Sequence, residues 1–401
     1  MKTYKYLILG AGPSGLALAH TLKELGEESF LVIEKEAVAG GLCRSDVVDG
    51  APLDIGGGHF LDVKRKEVLD MVFKFLPRSE WQEYKRISKI RIRGIEIDYP
   101  LEANLWQFPV ADQVDFLESI AQAGCVRGIP TPESFEEWIT WKLGERIAQE
   151  YMLPYNKKIW STDLNRIGIY WLYKLPDVSF RETLQSCLEG KPFGTLPAHG
   201  VFLYPKEYGY GEVWKRMGDS LGEQLITNTE ISSIDIVNRV VNGCFKAETI
   251  FTTIPWTIWP SISNLPDEIK EEITRLEFSS IDVDYHTEDI QTDAHWIYEP
   301  DEHLSFHRLL CRNNFTRGRG YWTETNSRRA LEKKGWRYRN KYAYPLNTRE
   351  KPDAVARILQ WAGQNKIIGV GRWGTWEHMN SDIAVSMGIE TGKKLWKGEV
   401  L

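Results

Sequence analysis

The chain has 401 residues, more than one hydrophobic core ordinarily serves, so two or three subdomains with room for a large cofactor between them are expected. Apolar residues make up 42 % and charged residues 26 %, the balance of an ordinary soluble globular protein. A net charge of −6 without a long basic run argues against nucleic acid as a partner, and no apolar run reaches the roughly eighteen residues a membrane span needs. The five cysteines (Cys43, Cys125, Cys187, Cys244, Cys311) lack CxxC or metal-ligand spacing and read as reduced thiols of a cytoplasmic protein.

Residues 4–9, YKYLIL, form an apolar run suited to a buried parallel strand. GAGPSG follows, supplying Gly10, Gly12, Pro13, Ser14 and Gly15, then a helical pattern ending at Gly26 and a second strand, FLVIE, closing on Glu34. Strand, glycine turn, helix, strand is the βαβ unit that lays a pyrophosphate on the positive end of a helix. A carboxylate at Glu34 accepts hydrogen bonds from ribose hydroxyls and disfavours a 2′-phosphate, which argues against NADP in this pocket. A second glycine pair, Gly40 and Gly41, comes directly after, with Lys35, Leu42, Arg44 and Ser45 around it. FAD enzymes that resemble glutathione reductase and the amine oxidases carry such a pair, for a second backbone approach to the pyrophosphate. LDIGGGHFL adds Gly57, Gly58 and His59, another turn able to pass close to a flat ring.

Residues 100–188 read as helical, with Ser134 and Glu137 at capping-box spacing. Strand-like stretches follow from Val201: LITNTEISSIDIV, AETIFTTIP, IDVDYH and HLSFHRLL. NSRRALEKKGWRYRNK reads as a solvated helix and loop, and KIIGVGRWGTW opens a final strand-then-helix segment. The expected fold is α/β. A Rossmann-like, glutathione-reductase-type FAD-binding domain (1–76, 200–256, 363–401) carries a helical subdomain (97–199) and an antiparallel β-sheet substrate subdomain (77–96, 257–362).

Several blocks, spread from end to end, resemble the UDP-galactopyranose mutase family, its eukaryotic-type members above all. They are DIGGGH, IDYPLEANL, SFEEWI, MLPYNKKIWSTDLNRIGIYWL, FLYPKEYGYGEVW, AHWIYEPDEHLSFHRLLCRNNF, KYAYP and VGRWGTWEHMNSDIAVSMG. The resemblance implies an isomerase that interconverts the pyranose and furanose forms of a UDP-sugar without net oxidation. Its cofactor is FAD, active when reduced by NAD(P)H or another reductant, with ring nitrogen N5 as nucleophile. It implies site residues as well. His59 lies near N5; Arg372 and Asn380 belong to the flavin end; Tyr99 stacks on uracil. Asn156 and Trp160 touch the diphosphate and sugar. Arg308, Tyr298, Asn314 and Tyr344 hold the diphosphate and sugar, with Lys158 lining the same channel.

Three departures loosen the substrate. No second diphosphate arginine follows YNKKIW, where Lys174 or Arg181 are the candidates. Glu102 stands where a glutamine is expected beside the uracil tyrosine. Glu377 or His378 replaces a tyrosine after GRWGTW. Two other readings share the glycine motifs and Glu34: an oxidoreductase of the amine-oxidase or protoporphyrinogen-oxidase type, and a catalytically silent FAD-binding scaffold.

Overall fold

The computed structural model describes residues 1–175, 177–194, 200–332 and 334–399. The opening apolar run is the strand Lys2–Leu9, paired in parallel with Phe30–Ile33 on one side and Phe245–Thr252 on the other. Leu225–Ile226 and Ile367–Gly369 extend this parallel sheet at its two edges. Helices cover both faces, as a parallel sheet buried on both sides requires. On one face the helices Pro13–Glu24 and Ser381–Lys397 touch almost backbone to backbone. A Cβ at Gly388 would meet the Ser14 carbonyl and the Ala17 methyl, and one at Gly392 the Thr21 side chain. The opposite face buries Ile269, Ile273, Ala354, Ile358, Trp256 and Trp259. Burial of each such aliphatic side chain contributes about 1.5–3 kcal/mol.

A second sheet runs in the order Arg337–Pro345, Phe278–His286, Tyr321–Asn326, Arg308–Cys311, Trp296–Tyr298, Ser88–Ile92 and Ile95–Asp98. It is antiparallel except where Trp296–Tyr298 and Ser88–Ile92 run parallel. The helices Val110–Ala121, Phe135–Ile147, Leu153–Trp160 and Phe180–Glu189 form a core with the Ser88–Ile92 and Ile95–Asp98 end of this sheet. Ser134 caps Phe135–Ile147 by accepting the Glu137 N–H at 3.3 Å, as the spacing predicts.

Two expectations are corrected. The segments 257–276 and 351–362, placed above in the substrate subdomain, instead pack on the Rossmann sheet through the helices Asp267–Thr274 and Lys351–Gln364. Trp81–Lys85 likewise pairs with Val201–Pro205, not with the second sheet. The charged stretch read as a solvated helix and loop is, over Arg337–Pro345, a strand. Its arginines are tolerated there because the neighbouring strand offers carboxylates: Arg339 grips Asp282 with two bonds of 2.8 Å, and Arg337 grips Asp284 at 2.7 and 2.9 Å.

Candidate active site

Two glycine turns converge at the start of the helix Pro13–Glu24. The Gly40 N–H donates to the Ala11 carbonyl at 2.8 Å, and a Cβ at Gly41 would sit 3.3 Å from Gly12 Cα. No side chain caps the helix, so its first N–H groups and the positive end of its dipole face outward. A Cβ added at Gly12 would meet no atom within 4 Å, which marks open space beside those N–H groups. At the end of the second strand the Glu34 carboxylate accepts from the Ala11 N–H at 2.8 Å and the Glu36 N–H at 3.0 Å. Each oxygen keeps a lone pair for a hydroxyl. Ser14 lies buried under Gly371, and Pro13 takes the first helical position. Leu42, in the 3-10 turn Gly41–Cys43, packs its carbonyl against Gly56. These features fit a dinucleotide pyrophosphate and ribose. Lys35 does not join them: its ammonium is mostly exposed beside Glu36, 3.7 Å away, because the strand has ended and the side chain turns to solvent.

The loop after Asp54 carries Gly57, Gly58 and His59 over the second sheet. Gly57 has φ +88°, and a Cβ there would run into the Glu324 carboxylate. Glu324 is fully buried on Tyr321–Asn326 and accepts the Gly58 N–H at 2.8 Å. It also accepts Arg308 Nη2 at 2.7 and 2.6 Å and Nε at 3.2 Å. Burial opposes the Glu324 charge, but Arg308, His307 at 3.6 Å and the Gly58 N–H hold the carboxyl down at about 2. Burial equally opposes the Arg308 charge, which Glu324 and the neighbouring hydroxyls of Tyr344, Tyr155 and Tyr298 keep above its ordinary value.

His59 donates through Nδ1 to the Gly57 carbonyl at 3.1 Å and stacks at 6.4 Å on Tyr210. Burial first, and the Arg372 cation second, push its pKa down to about 4. The ring is therefore neutral across the physiological range. Its NMR resonances are expected to titrate with a midpoint near 4; a midpoint near the ordinary 6.5 would contradict this placement.

Arg372 follows the strand Ile367–Gly369 and points at backbone. Nη1 donates to the Ala343 carbonyl at 2.8 Å, and Nε and Nη2 donate to the Met379 carbonyl. No ion pair joins it to a carboxylate among the described residues. Burial lowers its pKa, with Tyr344 and Cys43 opposing. Held by neutral carbonyls, this guanidinium keeps a net positive charge at this end of the site. Its guanidinium stands 5.7 Å from the Tyr344 ring centre.

Tyrosines cluster around Arg308. Tyr298 pairs in register with Arg308, and its ring lies 5.0 Å from Tyr99 and 5.5 Å from Tyr155. Tyr344 stands 6.1 Å from Trp160 and 5.0 Å from His378. The structure thus gathers His59, Arg308, Arg372, Tyr298, Tyr344, Trp160 and Tyr99 into one cluster.

Four assignments fall away. Asn314 lies past the far end of the strand Arg308–Cys311, in the 3-10 turn Arg312–Asn314, and its amide donates to the Thr292 and Ala294 carbonyls at 2.9 and 2.7 Å. Asn156 is engaged within its helix, accepting Trp160 Nε1 at 2.9 Å and donating to the Met152 carbonyl at 2.8 Å, so it orients Trp160. Lys158 is fully buried, its ammonium donating to the Glu299 and Asp301 carbonyls at 2.8 and 2.6 Å. Asn380 occupies the N-cap of Ser381–Lys397 and is exposed.

Of the two residues proposed after GRWGTW, His378 is the one against Tyr344, while Glu377 meets the Tyr173 hydroxyl at 3.5 Å. Arg181 is exposed on its helix, and the Lys174 side chain is outside the described residues. Glu102 sits in the turn Leu101–Ala103, where burial raises its pKa. Sequence reasoning missed Glu324, Tyr155 and Arg86. Arg86 donates to the Tyr298 hydroxyl at 3.1 Å and lies 5.0 Å over Tyr99.

Residues 8–75 match the family described as NAD(P)-binding Rossmann-like domain. The chain is 25 % identical over 177 residues to the dTDP-fucopyranose mutase of Escherichia coli, covering 43 % of this chain and 46 % of that protein. It is 24 % identical over 250 residues to the UDP-galactopyranose mutase of Mycoplasma pneumoniae, covering 59 % and 57 %. The chain thus spans about half the length of the curated relatives it matches. A crystal structure of reduced UDP-galactopyranose mutase superposes with a TM-score of 0.89, 22 % identity, and coverage of 100 % of this chain and 95 % of that one. The chain therefore has the fold of a UDP-galactopyranose mutase, and its resemblance to that family holds in both sequence and fold.

Proposed function

We propose that the chain is a flavin-dependent nucleotide-sugar mutase interconverting the pyranose and furanose forms of a UDP- or dTDP-sugar. The observation that carries this reading is Arg308, forked onto buried Glu324 and set directly against the Gly57–Gly58–His59 loop beside the dinucleotide turns. An oxidase of the amine-oxidase type needs an apolar cavity, whereas a cleft of Arg308, Tyr155, Tyr298 and Tyr344 offers donors for phosphate and sugar oxygens.

FAD would be held by the Gly10–Gly15 and Gly40–Gly41 turns and by Glu34, with its ring toward His59 and Arg372. When reduced it supplies a nucleophilic ring nitrogen and requires no net oxidation of the sugar. Arg372 stabilises negative charge developing at that end of the site. Neutral His59 adds a hydrogen-bonding edge without a competing cation. Arg308, turning its remaining Nη1 to the cleft, orients the diphosphate so that the anomeric carbon faces the ring, and stabilises it as leaving group. Tyr298 and Tyr344 donate to the remaining oxygens and help exclude water.

A binding screen of the FAD-loaded protein against UDP-, dTDP- and other nucleotide sugars and against polyamines tests the reading. Saturable binding of a uridine or thymidine diphosphate sugar is expected. Indifference to all nucleotides, with hydrogen peroxide formed from an amine, would favour the oxidase.

A further inference from the structure

The Glu324 carboxylate is shared between two parts of the site, the Gly57–His59 loop and the second sheet. One oxygen receives the Gly58 N–H from the loop after Asp54, and both oxygens receive Arg308 from the second sheet. The loop backbone rests so closely on the carboxylate that only glycine fits at 57. Glu324 is fully buried and charged, so losing Arg308 would leave an uncompensated ion and losing the Gly58 N–H would leave a buried acceptor short of a donor. A shift of the Arg308 fork must therefore be felt at Gly58, and a shift of the loop must be felt at Arg308.

We propose that Glu324 is a positioning residue that couples the two ligands of the site, transmitting the state of the dinucleotide ring beside the Gly57–His59 loop to the anion held by Arg308, and the reverse. This rests on the reading of the site given above. Coupling of this kind is reciprocal: if ring state alters nucleotide affinity by some factor, nucleotide alters the ring's equilibrium by the same factor. Glutamine cannot replace Glu324. With its oxygen on the Gly58 N–H, its NH2 faces the Arg308 donors; flipped, it leaves Gly58 without an acceptor. Aspartate keeps the charge but is one methylene too short to span both partners.

UDP affinity is measured by titration of FAD-loaded protein in the oxidised and dithionite-reduced forms, for the wild type, Glu324→Gln and Glu324→Asp. The wild-type dissociation constant is expected to differ between the two forms by about five-fold or more, and the difference to shrink below about two-fold in both variants. Equal affinities in the wild type, or an undiminished difference in the variants, would overturn the proposal. A measurement on the wild type alone guards against variants that do not fold: hydrogen exchange at the Gly58 amide is expected to slow by about ten-fold on adding UDP, a change of about 1.4 kcal/mol in opening free energy. Unchanged exchange while UDP binds would also overturn it. A wild type that binds no UDP in either form sinks the reading of the site as a nucleotide-sugar pocket, a distinct failure.

Discussion

Gly12→Val is expected to yield a folded protein that retains no flavin. Gly12 has φ −74° and ψ 176°, extended backbone that valine adopts readily, and its added Cβ meets no protein atom within 4 Å. Stability of the cofactor-free fold should therefore change by no more than about 0.5 kcal/mol. The same side chain fills the space through which a pyrophosphate must reach the helix N-terminus, so binding is lost rather than weakened. Gly15→Val is the control: its Cβ would strike the Gly10 carbonyl and crowd Ile8, so the fold itself should suffer. Circular dichroism and the flavin released on denaturation separate the outcomes. Stoichiometric flavin in Gly12→Val would show that the pyrophosphate does not lie at this turn.

The second large effect contrasts two arginines. Arg308→Ala should weaken UDP binding ten- to a hundred-fold, the loss of a charge-assisted contact of about 1.5–3 kcal/mol. It should also lower folding stability by about 3–5 kcal/mol, because buried Glu324 is left without its partner. Flavin content should be unchanged. Arg372→Ala should lower the flavin reduction potential and leave UDP affinity nearly intact. Arg372 also satisfies the Ala343 and Met379 carbonyls, so Arg372→Lys, which keeps the charge, is the informative companion and should preserve more of the potential. If neither UDP affinity nor potential moves in either alanine variant, the two arginines are not site residues.

What could be read from the sequence was what local chemistry fixes. The turn around Gly12, Glu34 closing the second strand and the Ser134 cap each depend on neighbours within a few residues. The site's second half depends on sheet register. Arg308 could be picked out by resemblance, but Glu324, sixteen residues on, is a buried acid in a strand buried on both faces, whose partner only the pairing of Arg308–Cys311 with Tyr321–Asn326 reveals. Asn314 failed for the converse reason: the strand Arg308–Cys311 runs away from Arg308 and the 3-10 turn after it leaves Asn314 at the strand's other end. Asn156 and Lys158 carry the right functional groups, but the helix and a nearby loop offer them backbone and indole partners that no spacing rule foretells. Arg337 and Arg339 looked solvated because the aspartates that neutralise them lie more than fifty residues upstream.

The most direct test is anaerobic incubation of dithionite-reduced, FAD-loaded protein with UDP-galactopyranose, followed by separation of the nucleotide sugars and titration of the remaining reductant. The account predicts many turnovers to the furanose isomer, little conversion by the oxidised protein and no reductant consumed in proportion to product. Product formed only with stoichiometric oxidation or reduction, or by the oxidised protein with release of peroxide, would contradict a redox-neutral mutase.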